Sequence, residues 1–126
     1  MSKLKANVFA VNCPSREVLS LISEKWVCLT VCALNEQKVL RFGELKRVCE
    51  GVSQKMLTQT LRKLERDGLV IRTVYADKLP LKVEYQLSPL GKNLLTVIQQ
   101  IKSWAETNIH KIDKHRMAFD KNNNAA

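Results

Sequence analysis

Val52-Ser53-Gln54-Lys55-Met56-Leu57-Thr58-Gln59-Thr60-Leu61-Arg62-Lys63-Leu64-Glu65-Arg66-Asp67-Gly68-Leu69-Val70 reads as a helix with two unlike sides and a marked boundary at each end. At about 3.6 residues per turn, Leu57, Leu61 and Leu64 share one side, and Lys55, Thr58, Gln59, Arg62 and Arg66 share the opposite one. Ser53 can cap the start, because its side-chain oxygen accepts a first-turn N–H. Asp67-Gly68 can close the end, because glycine tolerates the left-handed conformation found there. The polar side holds the residue types that read base edges in a major groove. Gln and Arg pair bidentately with adenine and guanine, and Thr hydrogen-bonds or touches a thymine methyl. The same residue types also line any solvated helix, so this helix alone does not decide the function.

The segment beyond Gly68 is more telling. Leu69 to Tyr75 is rich in β-branched residues, Ala76-Asp77-Lys78-Leu79-Pro80-Leu81 is a turn, and Lys82 to Leu87 alternates apolar Val83, Tyr85 and Leu87 with polar Lys82, Glu84 and Gln86. That period of two marks a half-buried strand, and the pair reads as a β-hairpin. A helix running straight into a hairpin predicts a winged helix: a mainly α domain with one small β-hairpin, of the α+β class. In that arrangement the helix enters the major groove, and the hairpin tip, with Lys78 and Lys82, lies against the backbone or the minor groove.

Upstream, residues 1–12 read as a flexible arm. Pro14 suits a first helical position, with Cys13 as the cap, and Val18, Leu19, Leu21 and Ile22 are the expected buried side of that helix. A second helix, from about Lys25 to Asn35, has almost no polar face and is expected to be buried scaffold. Leu40-Arg41-Phe42 looks β-like. Gly43 to Cys49 is a brief helix, and Glu50-Gly51-Val52 turns into the base-reading helix, which gives a helix-turn-helix. Lys46 and Arg47 on the brief helix contact either phosphates or solvent. Residues 13–88 therefore form the expected DNA-binding domain.

Ser88 and Pro89 repeat the capping pattern at the start of a last helix, expected over 89–118, with a disordered tail at 119–126. Leu90, Leu94, Ile98, Ile101, Trp104 and Ala105 form an apolar stripe along it, flanked by Val97 and Ile109. The stripe covers either its own domain or a partner subunit. In the second case Leu94, Ile98, Ile101 and Trp104 form the dimer interface.

The chain has 126 residues and a formal net charge of +9, enough for one domain with a core and biased toward an anionic partner. A membrane is not the expected partner, since no apolar run approaches the roughly 20 residues a spanning helix needs. The start, Met1-Ser2-Lys3-Leu4-Lys5-Ala6, lacks a signal-peptide core, so a cytoplasmic location is expected.

Of the four cysteines, Cys28 and Cys32 read as small core residues. No ligand spacing suggests a metal, and no cofactor is expected. Cys13 differs, because a helix N-terminus favours thiolate. It is either a reactive thiol or an inert one near an interface. Cys49, close to the base-reading helix, is the second redox candidate. A thiol enzyme is not expected, since His110 and His115 lie far along the chain from Cys13 and no motif sets a base beside a nucleophile.

Cys13-Pro14, Lys25-Trp26, Arg41-Phe42-Gly43-Glu44-Leu45, Ser53-Gln54-Lys55-Met56-Leu57-Thr58, Leu61-Arg62, Leu64-Glu65, Asp67-Gly68-Leu69-Val70, Arg72, Val83-Glu84-Tyr85, Leu87-Ser88 and Leu90-Gly91 occur in an order and spacing that resemble the HxlR-type winged helix-turn-helix transcriptional regulators, relatives of the MarR group. The resemblance spans roughly Cys13 to Trp104. It implies a homodimeric, sequence-specific regulator of nearby promoters, repressing or activating, that binds double-stranded DNA and has no enzymatic activity. By resemblance Ser53, Gln54, Lys55, Thr58, Gln59 and Arg62 belong to the major-groove helix. The Lys78 to Lys82 loop falls by the same resemblance on the wing tip, and Arg72, Lys78, Lys82 and Lys46 are the expected wing and backbone contacts. Several relatives use the cysteine at the position of Cys13 to sense oxidants or electrophiles, which adds such a small effector to the expected partners. Two departures stand out: Glu24 replaces a usual glycine, and Cys49-Glu50-Gly51 replaces a more usual Leu-Pro-Gly. The alternative reading is a winged-helix module for protein assembly or for nonspecific nucleic-acid binding.

Overall fold

Three short helices lead into a longer fourth one in the computed structural model, which describes residues 7–35, 38–77 and 79–124. They are α1 (Pro14–Ile22), α2 (Lys25–Leu34) and α3 (Phe42–Val48), followed by α4 (Gln54–Arg66), β1 (Val70–Tyr75), β2 (Lys82–Leu87) and α5 (Pro89–Asn124). The chain divides into two compact units, one ending at Leu95 and the other beginning at Thr96.

In the first unit α2 is the central element, packed against α1, α3, α4 and β2. Its near-continuous apolar sequence explains that position: Val27, Val31 and Leu34 are buried, as are Leu45 of α3, Leu57, Leu61 and Leu64 of α4, and Leu87 of β2. Burying such side chains contributes about 1.5 to 3 kcal/mol each. Both ends of α4 are chemically fixed. Ser53 Oγ accepts the Met56 N–H at 3.0 Å. At the other end Leu69 N–H donates to Leu64 O at 2.9 Å and Gly68 N–H to Glu65 O at 3.1 Å. This paired closure requires the left-handed Gly68, whose φ is +75°.

The strands pair antiparallel, from Val70 opposite Leu87 to Tyr75 opposite Lys82. The β-like Leu40 contributes a single bridge to this sheet, exchanging hydrogen bonds of 3.0 and 2.8 Å with Tyr85. Arg41 then caps α3, its N–H donating to Glu44 Oε1 at 3.0 Å.

Several expectations need correction. In α1 only Leu21 is buried, and Val18 and Leu19 are exposed, because this short helix meets the unit along one strip against α2. Cys28 and Cys32 are half-buried, not core; the Cys28 thiol donates to Ile22 O at 3.0 Å. The part of the arm that is described forms consecutive turns, with Ala10 N–H donating to Asn7 O at 3.0 Å and Cys13 N–H to Ala10 O at 3.1 Å. Residues 1–6 lie outside the described residues.

The second unit is the greater part of α5. The helix runs past the expected end at 118 and continues to Asn124, so the tail expected to be disordered from 119 is helical that far. No proline or glycine interrupts the sequence from Lys92 onward, and the Asn123 side chain donates to Phe119 O at 2.9 Å. Residues 125–126 lie outside the described residues. The residues of the expected interface stripe differ in exposure: Leu94 and Ile98 are buried, whereas Ile101 and Trp104 are exposed, Trp104 by 62%.

Candidate nucleic-acid interface

The outward side of α4 is built as its spacing demands. Gln54, Lys55, Thr58, Gln59, Arg62 and Arg66 are all exposed, while the leucines beneath them fix the helix against α2. The Thr58 hydroxyl donates to Gln54 O at 2.8 Å, which leaves its oxygen to accept. Among the described residues no ion pair engages Lys55, Arg62 or Arg66. Rigid helix below and uncommitted polar ends above is the arrangement that base-edge contacts need.

The flanks of the helix are tied down. On one side Arg72 Nε of β1 lies 3.3 Å from Glu65 Oε1. Arg72, expected to meet phosphate, is thus engaged across the groove between the hairpin and α4. Tyr85 shares that groove; burial pushes its phenol pKa up, Arg72 pulls it down and Glu65 pushes it up. On the other side Lys63 Nζ lies 2.9 Å from Glu24 Oε1, at the N-cap of α2.

The wing carries Lys82, whose Nζ is 3.9 Å from Glu84 Oε2 and 5.1 Å from the centroid of the Tyr75 ring. The hydrogen bond and negative charge of Glu84 push the Tyr75 phenol up, with burial adding to the shift. Lys78, the other expected tip cation, lies outside the described residues. Lys46 is exposed beside Arg47 in the last turn of α3, before the turn through Gly51, whose φ is +91°.

The two redox candidates differ in kind. Cys13 is 4% exposed and occupies the N-cap of α1. Burial pushes its thiol up, but hydrogen bonds from the backbone of Arg16, Ser15 and Asn7, with the Ser15 side chain, outweigh it and hold the pKa below the usual thiol value. Cys49 is equally buried, at 3%. There burial raises the pKa, and the neighbouring Cys32 raises it further. No group of metal-ligating side chains occurs among the described residues, and no helix among them is long and apolar enough to cross a membrane.

Sequence reasoning passed over Glu24, Lys63 and Glu65 as part of the site. The unusual glutamate before Lys25 was the one signal of them, and its partner lies 39 positions away.

A capped helix with an open polar face, preceded across a glycine turn by a short helix and followed by a hairpin, defines a winged helix-turn-helix of the kind found in transcriptional regulators. The model of the HxlR-like helix-turn-helix family matches residues 21–113, and the chain belongs to that family. It is 41% identical over 108 residues to YtfH of Escherichia coli, an uncharacterised HTH-type transcriptional regulator, covering 86% of this chain and 84% of YtfH. Among solved structures, the putative transcriptional regulator ytfH from Salmonella typhimurium is similar with a TM-score of 0.81 and 39% identity, over 90% of this chain and 99% of that one. The redox regulator HypR in its oxidised form is similar with a TM-score of 0.68 and 40% identity, over 76% of this chain and 97% of HypR. The chain is accordingly an HTH-type transcriptional regulator whose partner is DNA.

Proposed function

We propose that this regulator binds palindromic promoter sites as a homodimer and represses transcription from them. The observation that carries the reading is the exposed, uncommitted face of α4. Gln54, Lys55, Thr58, Gln59 and Arg62 read bases, with Ser53 at the helix start. Lys46, Lys78 and Lys82 meet phosphates. Two such helices about one DNA turn apart read two half-sites and multiply the discrimination of one. The exposed Ile101 and Trp104 of α5 supply apolar surface for the second subunit.

DNA binding is controlled through Cys13. Its lowered pKa favours the thiolate, which is the attacking species in thiol chemistry, and the similarity to HypR, a redox regulator, supports the same reading. An electrophile adds to the thiolate. Alternatively, an oxidant takes two electrons and two protons as Cys13 joins a thiol of the partner subunit. Either event tilts the two reading heads relative to each other and breaks the half-site spacing.

The test is selection of genomic fragments by reduced protein at physiological salt. A shared inverted repeat is the expected result. Unrelated fragments, with steep salt dependence and little discrimination, would favour a nonspecific nucleic-acid or protein-assembly module instead. Control by Cys13 fails if Cys13→Ser leaves the response of binding to oxidant unchanged.

A further inference from the structure

We propose that Glu24 and Glu65 are specificity-determining residues: they hold Lys63 and Arg72 in internal ion pairs, so that the attraction of α4 and its flanks to DNA comes from the reading face of that helix. The inference rests on α4 as the DNA-reading helix. On the helical wheel Lys63 borders the reading face next to Gln59 and Arg66, and Glu65 borders its other edge beside Arg62. Each border is closed by one pair, Lys63 to Glu24 at 2.9 Å and Arg72 to Glu65 at 3.3 Å.

The four side chains retain between 40% and 52% of their exposure. Pairs this open to water contribute little to stability. Their larger effect is on an approaching polyanion. Every cation that meets a phosphate releases counterions whatever the base sequence, so it strengthens specific and nonspecific binding together. For a chain of net charge +9 that contribution is large. A lysine or arginine already neutralised by a carboxylate must give up that partner to reach phosphate, and therefore adds less. Lys55, Arg62 and Arg66, which no ion pair engages among the described residues, are left as the cations α4 offers freely.

The pairs sit on opposite edges and come from different elements, the N-cap of α2 and strand β1. Glu24 lies in a groove with Glu17, Lys63, Arg66 and Asp67, where acidic groups outnumber basic ones. That edge of α4 is thus made unattractive to phosphate, which discourages binding in which the helix rolls out of its reading orientation.

The experiment measures binding of the full chain to its recovered operator and to an unrelated duplex across a salt series. The variants are Glu24→Gln, Glu65→Gln and, as control, Glu106→Gln. The control removes the same charge from an ion pair on α5, where Glu106 Oε1 lies 3.3 Å from Lys102 Nζ. Glu24→Gln and Glu65→Gln are expected to tighten nonspecific binding several-fold and steepen the logarithmic salt slope by up to about 0.9 per protomer. The ratio of specific to nonspecific affinity should fall, and Glu106→Gln should leave it unchanged. Exchanging the charges, Glu24→Lys with Lys63→Glu, should restore that ratio. Slopes and ratios unchanged in both variants, or changed equally by Glu106→Gln, would overturn the inference while leaving DNA reading by α4 intact. A wild-type chain with no preference for any operator would remove both.

Discussion

The hydroxyl of Ser88 donates to the carbonyl of Gly68 over 2.6 Å. It also accepts the N–H of Gly91 at 3.0 Å, so one side chain joins the end of α4, the close of the hairpin and the start of α5. Ser88→Ala removes an N-cap and leaves a carbonyl short of a partner, at an expected cost of about 1 to 3 kcal/mol. Urea denaturation of the two proteins measures it. An unchanged midpoint would show that the joint contributes nothing.

Gly91 is required by the same joint. A Cβ there would run into the carbonyl of Leu69, which is backbone and cannot swing aside. Gly91→Ala is expected to destabilise by about 1 to 3 kcal/mol through overpacking, although alanine is the better helix former. Raised stability in thermal melting would contradict this close approach.

Much of this was legible in the sequence, and particular residues show why. The leucines of α4 sit at strict helical spacing, Ser53 and Gly68 punctuate its ends, and alternation marks β2; these are local signals, and the structure has them where the spacing puts them. Features that depend on distant parts of the chain were not legible. Val18 and Leu19 are as apolar as Leu21, and only the placement of α2 decides which of them is covered. Arg72 looked like a phosphate ligand because the spacing of seven residues to Glu65 announces no contact until the chain turns at Gly68 from α4 into β1. The extent of α5 was underestimated because its polar last turns lack the apolar period that marked its beginning.

The thiols make opposite predictions for pH. The folded pKa of Cys13 lies below the ordinary 9.0, so its contribution to stability is present above that value and is lost as pH falls through the lowered folded pKa. The folded pKa of Cys49 lies above 9.0, so its contribution is present below that value and is lost as pH rises through the raised one. Stability measured against pH for Cys13→Ser and Cys49→Ser should therefore deviate from the parent in opposite directions. Deviations of the same sign would refute the assignment.

Phosphate contacts should be blind to sequence. Lys46→Ala is expected to weaken operator and unrelated duplex alike and to lower the salt slope by about 1. Lys82→Ala should do the same to a smaller extent, because Lys82 Nζ already lies 3.9 Å from Glu84 Oε2 in the parent. Binding titrations at several salt concentrations decide it, and loss confined to the operator would mean that these lysines read bases.

Everything proposed for this regulator depends on base reading by α4. The decisive comparison sets the parent against Gln59→Ala on the recovered operator and on its single-base-pair variants. The parent should lose about 1 to 3 kcal/mol when the base pair read by Gln59 is changed. In Gln59→Ala that penalty should vanish at one position of each half-site and persist at the others. An identical profile of penalties in the two proteins would contradict the reading of DNA by this face of the helix.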